Sequence, residues 1–244
     1  MCRLLGYASK SPTTFSHAAG KDFDQFVELA KVHCDGWGIA SDTDLFKEPV
    51  AATKSATFKD KLAHSPSDGA LLHLRWATEG MDVKESNTHP FTHNGISFIH
   101  NGSISPFNSL DPQIDPKYLA MAKGTTDSER YFLYLLTQID KHGFINGTKE
   151  ALTYIKNNCT YSSINMMAMN EDTFLVACNY NQDKIPAKFK DDTDYYHLRY
   201  KKSGDQILVG SSGWNQDGWE ELPNGSLLVV DRKSLSSEIT FIKE

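Results

Sequence analysis

Two kinds of hydrophobic spacing divide the chain. Phe23, Phe26, Val27 and Ala30 recur at helical intervals and predict a helix over Asp22–His33. The apolar run in Arg130–Ile139 predicts a second helix, opened by Thr126-Asp127-Ser128-Glu129, a capping-box pattern. Lys149–Asn158 predicts a third. The remaining apolar segments are short and bounded by turn residues, as strands are. They are Arg3–Ser9, Trp37–Ser41 after an Asp-Gly turn, Ala70–Thr78 up to a break at Glu79-Gly80, and Ile96–Asn101 closed by an Asn101-Gly102 turn. Asn101–Gly124 is the longest stretch expected to be irregular. Beyond the helices come Ser163–Met169, Thr173–Tyr180, Tyr195–Lys201, Gln206–Ser211, Leu227–Val230 and Ile239–Ile242. Strands, then two adjacent helices, then more strands predict an α+β fold with antiparallel sheets rather than a βαβ alternation.

Composition narrows the function classes. The 244 residues carry 25 Lys and Arg against 31 Asp and Glu, a net charge of −6, which lacks the basic footprint of a nucleic-acid binder. The longest unbroken apolar run, Tyr131–Leu136, falls far short of the roughly 20 residues of a membrane span. No secretory signal is legible, so the expected location is cytoplasmic, with Cys2, Cys34, Cys159 and Cys178 as reduced thiols. No CxxC pair, GxGxxG or P-loop is present, and no cofactor is implied. Residues 1–244 read as one domain.

Five features could carry chemistry. Removal of Met1 would leave Cys2 with a thiol and a free α-amine on one residue. At a reference amine pKa of about 7.7–8.0, roughly a quarter of such amines are unprotonated near pH 7.4, so the residue carries its own general base. Arg75, in the otherwise burial-prone His73-Leu-Arg75-Trp-Ala-Thr78-Glu-Gly80, needs a partner and suits bidentate capture of a carboxylate; an internal ion pair would satisfy it equally. His89 and His93 stand four apart, but Pro90 between them argues against the helix a metal pair would need. Asn101 and the Gly102 N–H, presented at a strand end, could form an oxyanion hole as well as a turn. Asp127 suits the first turn of its helix for dipole reasons alone.

Taken in order, second-position Cys, His-x-Arg-x-Ala-Thr-x-Gly, Asn-Thr-His-Pro-Phe, His-Asn-Gly and Asp-Ser-Glu resemble the class II glutamine amidotransferases, which belong to the N-terminal-nucleophile (Ntn) hydrolases. The opening Met-Cys-Arg-Leu-Leu-Gly-Tyr and Asp35-Gly36-Trp37-Gly38 look most like its stand-alone branch, which includes bacterial amidotransferases and γ-glutamyl amidohydrolases of glutathione and ergothioneine metabolism. The resemblance implies a four-layer αββα sandwich of two antiparallel sheets. It implies Cys2 as nucleophile, Asn101 and Gly102 as oxyanion hole, Arg75 on the α-carboxylate and Asp127 on the α-ammonium of a glutamine-like substrate. Thr78, Gly80 and His89 would line the same pocket. The implied reaction is hydrolysis of the γ-amide of glutamine or a γ-glutamyl compound through a thioester. The alternatives are a glutaminase subunit passing ammonia to a partner protein, and a non-catalytic glutamine or γ-glutamyl binder. Arg3 stands where biosynthetic members carry Gly, and Ser211-Ser212-Gly213-Trp214 departs from the family's late segment.

Overall fold

The computed structural model describes residues 2–78 and 80–243; Met1, Glu79 and Glu244 lie outside the described residues. A seven-stranded sheet has the order β11 (Glu220–Glu221), β9 (Leu198–Lys202), β10 (Gln206–Ser211), β1 (Arg3–Thr13), β4 (Ser67–Leu74), β2 (Trp37–Ser41), β3 (Leu45–Glu48). A six-stranded sheet has the order β13 (Ser237–Phe241), β12 (Ser226–Asp231), β8 (Thr173–Cys178), β7 (Thr160–Met169), β6 (Ile96–Ser105), β5 (Phe91–His93). The strand pairings are antiparallel throughout.

Side-chain alternation builds the layers. Along β1, Leu5 and Tyr7 face outward, onto Phe15 of helix α1 (Phe15–Ala19), Phe26 of α2 (Phe23–Glu28) and Phe58 and Leu62 of α3 (Phe58–His64). Leu4 and Ala8 face inward, against Met167, Phe174, Val176 and Leu228 of the other sheet. After a short α4 (Pro116–Leu119), the long helices α5 (Asp127–His142) and α6 (Phe144–Asn158) cover that sheet's outer face. There Leu133, Leu136, Leu152 and Ile155 pack on Phe98, Met166, Leu175 and Leu227. Three apolar interiors thus separate four layers in the order αββα, the expected fold. Each buried Leu or Phe contributes about 1.5–3 kcal/mol to holding them together. At Gly6 the sheets pack closely, since a Cβ there would lie 2.9 Å from both Met167 Sδ and Phe174 Cζ. The His73 Nε2–H donates to the His100 carbonyl at 3.2 Å and ties β4 to β6 across the interior.

Several expectations need correction. Asn101-Gly102 is not a turn: β6 runs through it to Ser105, paired as Asn101↔Asn165 and Gly102↔Ile164. Pairing overrides the local preference, and glycine is required because a Cβ would meet the Ser163 carbonyl at 1.8 Å. The strand expected over Ala70–Thr78 is β4, which ends at Leu74 and leaves Arg75 just beyond it. The helix expected over Asp22–His33 is broken into 3-10 turns around α2, and α1 precedes it. Within the stretch expected to be irregular, Pro116–Leu119 is helical. Trp37–Ser41 and Gln206–Ser211 have the expected bounds. Among the described residues, no helix is long and apolar enough to cross a membrane.

Candidate active site

Cys2 sits immediately before β1, whose start is fixed by a Leu4 N–H donating to Ser211 Oγ at 2.9 Å. Its half-buried thiol points to the Trp76 carbonyl at 3.9 Å. Burial pushes the thiol pKa up; Arg75 pulls it down and Asp127 raises it, so both charged groups are electrostatic neighbours of the sulfur.

Arg75 is held by the loop beside it. Its backbone N–H donates to the Gly36 carbonyl and the Asp35 N–H to its own carbonyl, while Asp35 Oδ2 accepts from the Ala77 N–H at 2.8 Å. Arg75 is 3% exposed, and among the described residues its guanidinium donates to the carbonyls of Asp35 at 3.3 Å and Asp82 at 3.2 Å. Among the described residues no carboxylate pairs with it. Burial pulls its pKa down, against the opposing pull of Cys2 and Asp35.

Asn101 and Gly102 come from the facing sheet. Asn101 is 1% exposed, and both its Nδ2 and Oδ1 are buried without a hydrogen-bond partner among the described residues. Such a group costs about 1–3 kcal/mol and calls for an explanation. The edge of β6 beside it is open, because β5 stops opposite Phe98. Strand alternation turns the Gly102 N–H to that edge. The next residue's N–H, on Ser103, reaches across to Ser162 Oγ, and that of Ile104 points back to Asp127 Oδ2 at 2.6 Å.

Asp127 is the first residue of α5, capped by Thr126 Oγ1, which accepts from the Glu129 N–H at 3.2 Å. Glu129 does not complete the capping box; its carboxylate accepts from the N–H groups of Lys123 and Gly124. Burial pushes the Asp127 carboxyl above its ordinary pKa, opposed by His100 and by backbone N–H groups.

Three buried histidines sit behind this set. His73 and His89 stack at 4.1 Å, and His100 Nδ1 lies 2.9 Å from Ser128 Oγ. Burial lowers all three, His73 to about 3, so they are neutral imidazoles. Among the described residues, neither buried ring nitrogen of His89 has a partner. Thr78 and Gly80 lie on the exposed loop after Arg75, outside this buried set. His93 turns to Tyr118, away from His89, and among the described residues no three His, Cys, Asp or Glu side chains are placed to hold a metal.

Sequence reasoning missed three contributors: Arg3, the Trp76 ring and the segment around Phe189 and Tyr195. Arg3 Nη1 donates to the Cys2 and Tyr195 carbonyls, both at 3.3 Å. A buried arginine next to the candidate nucleophile was the one available signal. A cleft of about 980 Å³ lies at the opposite end of the sandwich, around Asp42, Asp68 and Arg232, and includes none of the expected site residues.

Comparison with known proteins bears on this geometry. The family profile described as "Glutamine amidotransferases class-II" matches residues 1–240. The chain is 31% identical over 169 residues to the "Probable glutamine amidotransferase DUG3" of Saccharomyces cerevisiae, covering 59% of this chain and 47% of that protein, so it spans about half the yeast relative's length. An uncharacterized protein of Methanocaldococcus jannaschii is 26% identical over 255 residues, covering 94% of this chain and 69% of its own length. Among solved structures, a glutamine aminotransferase class-II domain protein from Silicibacter pomeroyi superposes with a TM-score of 0.68 at 18% identity, covering 100% of each chain. The glutamine phosphoribosylpyrophosphate amidotransferase of B. subtilis gives 0.63 at 16% identity, over 99% of this chain and 49% of that one. These two likenesses carry the fold, and the profile, running nearly end to end over the same residues that build the site, carries the family: the chain belongs to the class II glutamine amidotransferases.

Proposed function

We propose that the chain hydrolyses the γ-amide of glutamine or a γ-glutamyl compound, with Cys2 as nucleophile. Once Met1 is removed, the Cys2 α-amine takes the thiol proton and the thiolate attacks the γ-carbonyl carbon. Asn101 Nδ2 and the Gly102 N–H donate to the oxygen on which charge develops. Arg75 holds the substrate's α-carboxylate with its guanidinium fork, and Asp127 holds the α-ammonium. The protonated α-amine of Cys2 gives its proton to the leaving nitrogen as the C–N bond breaks, leaving a γ-glutamyl thioester. Water, deprotonated by the same amine, then releases glutamate and regenerates the thiol.

The observation that carries this reading is Asn101. A buried amide with neither polar atom paired among the described residues, beside an open strand edge, is poorly explained as scaffold and well explained as a donor awaiting an oxyanion. Arg75 and Asp127 support it: each is buried and without an ion-pair partner among the described residues, and both act on the same thiol.

The test is intact-mass spectrometry before and after 6-diazo-5-oxonorleucine, a glutamine mimic, with Cys2→Ala as control. The expected result is loss of Met1 and one adduct on Cys2, with glutamate released from at least one γ-glutamyl amide. Retained Met1 with no adduct overturns it. An adduct with turnover only in the presence of a second protein favours an ammonia-delivering subunit instead.

A further inference from the structure

His100 is a buried titratable group that the proposed chemistry does not use. Side chains alternate along β6, so Asn101 points into the space between the sheets and His100 the other way, toward α5. Its ring stands edge-on to Tyr131 at 5.3 Å and is 6.4 Å from Phe98. Two hydrogen bonds fix it, and each goes to a different part of the site. Nε2 lies 3.2 Å from the Ser163 carbonyl, which can only accept, so Nε2 carries the proton. Burial holds the imidazole neutral, which leaves Nδ1 as an acceptor, and Ser128 Oγ donates to it across 2.9 Å.

The first bond reaches the oxyanion strand. The Ser163 carbonyl is the atom that crowds Gly102, and His100 Nε2 itself would lie 2.9 Å from a Cβ placed there. The second bond reaches the ammonium end. Ser128 follows Asp127 in the first turn of α5, and Asp127 Oδ2 accepts from the N–H of Ile104, two residues beyond Gly102. A phenyl ring would fill the same place beside Phe98 and Tyr131 without burying two polar nitrogens, so scaffolding alone does not call for an imidazole. We propose that His100 is a positioning residue with two separable duties. Its Nε2–H, through the Ser163 carbonyl, holds Gly102 in line for the oxyanion. Its Nδ1, through Ser128, holds Asp127 at the substrate's α-ammonium. The inference rests on the hydrolysis proposed above and adds to that site a residue that touches neither substrate nor sulfur.

The two duties can be cut apart, because the amide of asparagine reaches the place of Nδ1 and that of glutamine the place of Nε2. His100→Gln keeps the donation to Ser163 and loses Ser128, whereas His100→Asn keeps Ser128 and loses Ser163. Steady-state kinetics on glutamine, or on γ-glutamyl-p-nitroanilide if glutamine is not turned over, reads the outcome. His100→Gln should raise KM at least fivefold with kcat within twofold of native. His100→Asn should lower kcat at least tenfold with KM within twofold. Ser128→Ala removes one hydroxyl and leaves the ring, so it should reproduce the His100→Gln result even if a histidine variant fails to fold. It should also narrow the preference for glutamine over glutaramate, the analogue without the α-amine. A Ser128→Ala enzyme with native KM and native preference overturns the proposal and leaves the hydrolase reading standing. So do Gln and Asn variants at His100 that change kcat and KM alike. A native enzyme that turns over neither substrate, with no labelling of Cys2 by 6-diazo-5-oxonorleucine, overturns both.

Discussion

Replacing Asn101 with Ala should move stability and activity in opposite directions. The native side chain holds two buried polar atoms without partners among the described residues, so removing the amide relieves about 1–3 kcal/mol of unmet desolvation. The void left is about the size of a methyl group or two and costs about 1 kcal/mol. The net change therefore lies between nothing and about 2 kcal/mol of added stability. For a chain of this length that is a Tm unchanged or raised by up to about 8 °C. Loss of one oxyanion donor should lower kcat by about 10²–10³-fold, or about 2.7–4 kcal/mol of transition-state stabilisation, with little change in KM. Thermal unfolding of native and variant protein, paired with glutamate release, measures both numbers. A Tm that falls by several degrees would mean that Asn101 is a structural residue whose partners lie elsewhere. A kcat within tenfold of the native value would remove it from the oxyanion hole.

Other outcomes follow from the same geometry. Arg75→Lys loses the fork that spans the Asp35 and Asp82 carbonyls and, in the proposed mechanism, holds the substrate carboxylate, so KM should rise at least tenfold, read by steady-state kinetics. Asp127→Asn should bind substrate poorly yet unfold at higher temperature. Burial raises the folded pKa of Asp127, so its contribution is most favourable below the unfolded value near 3.9 and is lost as pH rises through the folded value; the Tm advantage of the variant should therefore be larger at pH 7 than at pH 4. The histidines act the other way. With His73 pushed down to about 3 and His89 and His100 also lowered, their stabilisation is complete above about pH 6.5 and is lost as pH falls toward 3. Tm should decline over that window, and His89→Gln should make the decline shallower.

The candidate site residues stood out in the sequence because their types and order are unusual together, although no single one was decisive. Much of the α+β outline was also legible, since α5 and most strands have strong apolar patterns with clear ends. Failures came where tertiary pairing overrode local preference. Asn-Gly favours a turn, yet the ladder to Ile164 and Asn165 carries β6 straight through it. Phe23, Phe26 and Val27 have helical spacing, yet the segment breaks into 3-10 turns at both ends of α2. The segment around Phe189 and Tyr195 was invisible because its 3-10 turns have no periodicity, and its link to Cys2 spans 192 residues from Arg3 to Tyr195. Three short strands, β3, β5 and β11, are simply too brief to stand out.

The close approach of the two sheets at Gly6 has a mechanical consequence. The proposed nucleophile is mounted at the root of β1 in one sheet, and the proposed oxyanion donors on β6 in the other. The sandwich therefore acts as a pair of jaws, and the gap between attacking sulfur and waiting donors is set by the thickness of the apolar filling between them. Gly6, Met167 and Phe174 are gauge blocks in that gap, although none belongs to the site itself. A residue that only fills volume there sets the reach of the chemistry, whereas the Arg75 loop, hung outside the jaws, is free to change what is gripped without altering how wide they open.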